Sequence, residues 1–423
     1  MGSEKRQSNP FDTVTLFIWL ALMIIGWMTI LATTYDGVFE IFNLGTNHGK
    51  QLLWMGVSSL TLFTIMGFDR RFLQNLAYPI YGATMLLVLS VFVIGSATKG
   101  NLNWVDLGLF KLQPSEFAKF ATVLALARYL DTPQVRFNTW KQRIIAFSIV
   151  GLPLALVLAQ GDAGSALVFV GFVFVFNKEG LSSWIIYFGL YMVAISVLAL
   201  VIDKFLLITA IVILFALILA YIFLMLPRER AIVALVVGLM LFSMGYVVAV
   251  DSVFNKVLKP HQQDRINVIL GKIEDNAGVA YNLNQSKIAI GSGGLFGKGY
   301  LQGTQTRFDF VPEMSTDFIF CSIGEEWGFI GALVLIGLFV ALIQRLIILS
   351  ERQRSTFSRV YIFSVAAIIF MHFTINIGMT IGLLPVIGIP LPFISYGGSS
   401  LLSFTMMIAV AIKLDSERIM TIR

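Results

Sequence analysis

Twelve stretches of this sequence, near residues 13–33, 51–67, 76–95, 113–130, 144–159, 164–177, 183–202, 205–226, 231–250, 318–347, 359–382 and 399–414, are predominantly apolar. About 20 apolar residues in helical form cross the hydrocarbon of a bilayer. Twelve such runs predict an all-α polytopic membrane protein, a bundle of about 12 transmembrane helices. Composition excludes the soluble alternative, because 57% of the 423 residues are apolar and 13% charged, and 36 Phe would leave a large adhesive surface. No run of like charges supports a disordered or nucleic-acid-binding tail. The apolar run from Val14 to Ala32 exceeds a signal-peptide core, and Thr33, Thr34 and Tyr35 make a poor cleavage site, so it reads as an anchor.

Basic residues set the orientation. With the N-terminus inside, seventeen Lys and Arg fall in predicted inner segments, beginning with Lys5 and Arg6 and including Arg70, Arg136, Arg345, Arg352 and Arg423. Only four, Lys50, Lys99, Lys111 and Lys204, fall in short outer loops. Both termini are therefore expected in the cytoplasm, and most of the net charge of +6 is topological. The stretch 251–316 stands apart as a large outer loop, read as structureless and, for that reason, functional. Its basic and acidic residues nearly balance, so recognition there requires placed residues rather than a field. Cys321 is the single cysteine and excludes intrachain disulfides. The chain reads as one transmembrane domain, 1–423.

Ionisable groups inside spans are costly and default to functional candidates. Here they are Glu116, Lys119, Asp317, Glu325, Glu326 and His372, with Asp162 at an outer turn. Glu116 follows Pro114 in a first helical turn, where an acid suits the helix dipole. It reads as a cap or, with Lys119 at i+3, as an ion pair that is either purely structural or borders the cavity of an anionic substrate, Lys119 facing a phosphate. Asp317, Cys321 and Glu325 would share a helix face, with Glu325 about 12 Å deeper than Asp317. Asp317, at the mouth, reads either as a dipole partner or as a general base within a polar substrate's reach.

Two further segments are singular. The glycine-rich run Gly291–Gly299 fails as a phosphate loop, with Ser292 where the first Gly belongs and Gly299 where Ser or Thr would bind magnesium, which leaves a flexible loop. From Leu383 through Ser399 the chain is apolar yet studded with Pro385, Pro390, Pro392 and glycines. Non-helical backbone at membrane depth must be covered by protein or line a wet cavity, so this reads as a re-entrant segment.

The stretches KGNLNWVDLG and LQPSEFAK around Trp104 to Lys119, QSKIAIGSGGLFGKGYLQGTQ at 285–305, PEMSTDFIF with GEEWGFIG at 312–331, and NIGMTIGLLPVIGIPLPFISYGGSS at 376–400 together resemble the SEDS family (shape, elongation, division and sporulation proteins), in particular its elongation branch. The resemblance implies a peptidoglycan glycosyltransferase that polymerises lipid II on the outer face of the cytoplasmic membrane, working with a class B penicillin-binding protein transpeptidase. It places the family's essential acid at Asp317. Its conserved Trp, Glu and Lys fall on Trp104, Glu116 and Lys119, its paired basic residue and Gln on Lys50 and Gln51, and a further basic position on Arg265. Where the family reads Gln-Pro-Asp-Leu-Gly this chain has Gln160, Gly161, Asp162, Ala163 and Gly164, keeping the acid without the proline. The family has ten spans, so an extra two-helix insertion is expected at 204–250, turning at Pro227–Arg230.

On this reading Asp317 deprotonates the acceptor's 4-hydroxyl, which displaces undecaprenyl pyrophosphate from the donor with inversion. Lys119, Lys50, Arg265 or a divalent cation such as Mg2+ or Mn2+ would stabilise the leaving group, and no nucleotide is required. Asp162 and Glu325 are secondary candidates. A flippase for the same lipid-linked precursor is the rival; it would require ionisable groups near the midplane, and Glu325 and Glu326 are the ones that qualify. A noncatalytic scaffold that recruits a transpeptidase is the third reading.

Overall fold

The computed structural model describes the chain except for residues 1–10, 36–41, 99–100, 107, 109, 134, 136–138, 226–229, 257, 259, 273–278, 308–309, 311–312 and 419–423. Lys5, Arg6, Lys99, Arg136 and Arg423, and the expected turn from Pro227 to Glu229, lie outside the described residues.

The helices run in chain order α1 Thr13–Thr33, α2 Asn47–Met66, α3 Arg70–Ile94, α4 Pro114–Leu130, α5 Trp140–Ala159, α6 Ala163–Val168 and α7 Phe172–Lys178. They continue as α8 Trp184–Val201, α9 Lys204–Met225, α10 Arg230–Lys256, α11 Pro260–Ile269, α12 Val279–Ser292, α13 Thr304–Arg307, α14 Ile319–Glu351, α15 Thr356–Thr380 and α16 Gly398–Ser416. Each of the twelve expected apolar segments is helical, the sixth broken into α6 and α7 by a 3-10 turn at Phe169–Gly171. Among the described residues nine helices are long and apolar enough to cross a membrane; α2, α4 and the α6–α7 pair are the shorter or more polar remainder. The fold is all-α and polytopic. Among the described residues its one departure is a small antiparallel sheet, β1 Ser96–Thr98, β2 Asn101–Asp106 and β3 Lys111–Leu112, in a stretch read as loop.

Two compact units divide the chain. The first comprises residues up to Leu181 and from Asn282 onward, and α4 runs through its core. A helix buried on all sides carries no polar face, and Ala118, Ala121, Val123, Leu124, Ala125 and Leu126 are accordingly closed off together with Glu116 and Lys119. At one end Asp12 caps α1 and pairs with Arg345 of α14, while Asp415 of α16 accepts from Arg352 Nε and Arg418 Nη1 at 2.7 Å each. Several of the basic residues that set the topology are thus held in ion pairs.

The second unit, Ser182–Tyr281, contains α8, α9, α10 and α11, of which α9 and α10 cover most of the stretch 204–250. Its own small core is Ile195, Leu207, Ile211 and Val247. Polar ties reinforce it, Ser196 Oγ to Tyr246 Oη at 2.8 Å and Lys204 Nζ to Asp251 Oδ2 at 3.0 Å. The stretch 251–316 is not structureless: the end of α10, then α11, α12 and α13, lie within it.

The glycine-rich run also differs from the flexible loop expected. Lys298 N and Gly299 N donate to Glu325 O and Glu326 O at 3.0 Å, and Phe329 N and Ile330 N donate back to Gly294 O and Leu295 O at 2.9 and 3.1 Å. This pairing requires α14 to break, which it does at Gly328 (φ 64°, ψ −161°). A Cβ on Gly297 would sit 2.1 Å from Glu326 O. The glycines are there for close backbone contact, which no side chain permits.

Candidate active site

The segment 381–397, between α15 and α16, has no helix or strand of its own, and Ile389, Leu391, Phe393 and Ile394 are buried in the core. Backbone away from water must find partners. Here side chains and loops from several helices supply them. Asn376 Nδ2 on α15 donates to Ile389 O at 2.7 Å, Ser395 Oγ donates to Thr316 O at 2.6 Å and accepts from Leu391 N at 2.8 Å, and Tyr396 N donates to Ser315 O at 2.8 Å. Gly397 N reaches Gln51 Oε1 on α2 at 3.4 Å. The segment behaves as a hub where the entry to α14, the start of α2 and the interior of α15 meet.

Asp317 sits at this hub. α14 was expected to begin at Asp317 and carry it on one face with Cys321 and Glu325; it begins instead at Ile319, and Asp317 lies in the turn before it. Thr316 N and Phe318 N both return to Glu313 O, at 3.1 and 3.3 Å, which curls the chain ahead of the helix. Asn376 Nδ2 also donates to Asp317 O at 2.9 Å, and Asp317 Oδ2 lies against Gly388, 3.1 Å from where a Cβ there would stand. Gly388 has φ +80°, a backbone that favours glycine. Asp317 is half-buried.

The other sequence candidates divide. Gln51 is buried beside Gly397 and Lys50 is exposed on the first turn of α2. Trp104 is half-buried on β2, opposite Ser96. Arg265 belongs to the second unit, on α11, with a buried Nε that has no hydrogen-bond partner among the described residues.

Lys119, expected to face a substrate phosphate, turns inward. Both it and Glu116 are fully buried, and Lys119 Nζ donates to Glu116 Oε1 at 2.7 Å and to His372 Nε2 at 2.8 Å. An ammonium only donates, so Nε2 accepts and the ring proton is on Nδ1, which donates to Pro390 O at 3.0 Å. A chain of bonds therefore runs from α4 through α15 into the hub. The sequence marked His372 as ionisable and included Asn376 in a stretch of family resemblance, but gave neither a task. Their i, i+4 spacing on an apolar helix was the available signal.

Asp162 and Glu325 are occupied as structural caps. Asp162 is the N-cap of α6, accepting from Ser165 N and Oγ at 2.9 and 2.8 Å and from Asn103 Nδ2 at 3.1 Å. Glu325 Oε1 accepts from Lys298 Nζ and Gln305 N at 2.7 and 2.8 Å, and Oε2 from Thr306 N and Oγ1 at 2.8 and 2.6 Å. A carboxylate so saturated is a poor proton carrier, which removes one of the two deep acids on which the transporter reading depended. Among the described residues no group of three or more His, Cys, Asp or Glu is placed to hold a metal ion, so the expected divalent cation has no preformed acidic cage there.

Comparison with known proteins bears on the family. The model of a family described as cell cycle protein, FtsW/RodA/SpoVE, matches residues 12–205 and 177–419. Peptidoglycan glycosyltransferase MrdB of Escherichia coli (strain K12) is 32% identical over 410 residues, 96% of this chain and 94% of that protein. Peptidoglycan glycosyltransferase RodA of Treponema pallidum (strain Nichols) is 31% identical over 428 residues, 96% of this chain and 97% of its own length. A solved structure described as showing structural coordination of polymerization and crosslinking by a peptidoglycan synthase complex superposes with a TM-score of 0.68 at 25% identity, over 96% of this chain and 98% of that one. With most of its length matched by the family model and by relatives above 30% identity, the chain belongs to the FtsW/RodA/SpoVE family.

Proposed function

We propose that this chain is a peptidoglycan glycosyltransferase that polymerises lipid II at the outer face of the cytoplasmic membrane, with Asp317 as its general base and both termini in the cytoplasm. The names of its relatives supply the reaction class. One observation supports the assignment of the base: of the acids singled out in the sequence, Glu116, Asp162, Glu325 and Glu326 are buried, whereas Asp317 is only half-buried at the hub.

Asp317 takes the proton from the 4-hydroxyl of the acceptor's N-acetylglucosamine. The oxygen attacks C1 of the donor's N-acetylmuramic acid from the face opposite the pyrophosphate, and the C1–O bond breaks with its electron pair leaving on undecaprenyl pyrophosphate. Inversion follows from this single displacement. Lys50, exposed on the first turn of α2, is the cation we assign to the leaving group's charge. Lys119 acts from behind, through His372. A divalent cation such as Mg2+ or Mn2+ would serve the same charge. A class B penicillin-binding protein transpeptidase is the proposed partner, by analogy with the synthase complex that this fold resembles.

The test is Asp317→Asn in purified full-length protein supplied with lipid II. Glycan synthesis should vanish while thermal unfolding stays unchanged; a fully active variant would overturn the assignment.

A further inference from the structure

We propose that His372 and Asn376, one turn apart on α15, are positioning residues for Asp317: they hold the consecutive carbonyls of Pro390 and Ile389 and so fix Gly388 against the Asp317 carboxylate. This rests on the reading of Asp317 as the base.

The segment 381–397 has no backbone ladder, so its register is set by whatever grips its carbonyls. Asn376 uses both protons of Nδ2, one on Ile389 O at 2.7 Å and one on Asp317 O at 2.9 Å. A single amide thus ties together the main chains on the two sides of the contact between Gly388 and Asp317 Oδ2. One turn earlier His372 Nδ1 holds the next carbonyl, Pro390 O, at 3.0 Å. The ring cannot swing away, because Lys119 Nζ holds Nε2 at 2.8 Å and is itself held by Glu116. Phe404 closes the remaining side, edge-on to the ring at 4.9 Å.

Both side chains are fully buried, so they reach the reaction only through Asp317. Asn376 Oδ1 has no hydrogen-bond partner among the described residues. A buried amide that leaves its acceptor unsatisfied is held in place by its two donations. What they secure is the base's own peptide and the backbone its carboxylate rests against. A misplacement of about 1 Å in such a contact can lower a rate by about 100-fold.

The experiment measures kcat and KM of the full-length protein on lipid II. Asn376→Leu keeps the branched shape and removes both donors; His372→Leu removes the ring's donor and acceptor, and His372→Gln returns one of each. Asn376→Leu and His372→Leu should lower kcat about 10- to 100-fold with KM within about twofold, and His372→Gln should recover most of that loss. Wild-type kcat in Asn376→Leu beside an inactive Asp317→Asn overturns the positioning role, as does a His372→Gln no better than His372→Leu. Activity in Asp317→Asn is a different failure, that of the base assignment. If Asn376→Leu shows no unfolding transition, Gly388→Ala crowds the Asp317 carboxylate from the opposite side. It should lower kcat at constant KM, and an unchanged kcat there overturns the proposal.

Discussion

Glu325 holds Thr306 twice, accepting its amide at 2.8 Å and its hydroxyl at 2.6 Å on the same carboxylate oxygen. The other oxygen takes Gln305 N and Lys298 Nζ, so this acid caps α13 and seals the Gly-Thr-Gln-Thr turn onto α14. Breaking a buried, charge-assisted set of this kind costs about 3 kcal/mol or more. Glu325→Gln should therefore lower the thermal midpoint markedly in detergent, whereas Asp317→Asn should leave it in place. Equal midpoints for the two variants would contradict the structural assignment of Glu325.

A double-variant cycle tests the closed pair on α4. Lys119→Met leaves the Glu116 carboxylate buried and unpaired, and the expected loss is about 3–5 kcal/mol. Combining it with Glu116→Leu replaces two charges by apolar groups and should restore most of the stability in unfolding experiments. Additive losses would mean that the two side chains do not depend on one another.

Gly297→Ala places a methyl 2.1 Å from Glu326 O at a φ of +80°. Backbone on both sides leaves nothing soft to yield, so the yield of monodisperse protein should collapse. Gly56→Ala on α2 meets no atom within 4 Å and is the control, expected to match the parent in yield and melting.

Acid sensitivity should trace to Asp12. Burial alone would raise its pKa, but hydrogen bonds from Arg345 and Thr15 outweigh it and hold the carboxyl below its ordinary 3.8. A group whose pKa is depressed by folding contributes stability above the unfolded value and loses it as pH falls through the folded one. The melting temperature should therefore drop as pH is lowered below about 4, and Asp12→Asn should flatten that slope while lowering stability at neutral pH. An identical slope in the variant would place the sensitivity elsewhere.

Most of the architecture was legible because hydrophobic runs of bilayer length have few alternatives. The helix start at Pro114 was legible too, since a proline acts locally, whereas α14 begins two residues later than expected, at Ile319. What escaped depends on distant backbone. The glycine run looked flexible because nothing in residues 291–299 reveals that α14 will open at Gly328 to receive it. Asp162 and Glu325 looked like candidates for chemistry because a sequence shows an acid in an apolar span but not the donors it will meet, Ser165 and Asn103 for one and Thr306 and Lys298 for the other. Lys119 was read facing outward for the same reason. Its partner His372 lies 253 residues away and gives no local sign of the pairing.

That separation bears on how the chain is made. At synthesis rates of about 5–20 residues per second, Glu116 and Lys119 wait roughly 10 to 50 seconds before His372 emerges. During that interval α4 is in place without the helix that closes over it, and the Pro390 carbonyl that completes the chain of bonds comes later still. An ammonium in hydrocarbon without its full set of partners is a strained intermediate. The Glu116 carboxylate three residues earlier is what makes the wait tolerable: the pair enters the bilayer already neutral, and His372 completes a contact that the nascent chain has held open for it.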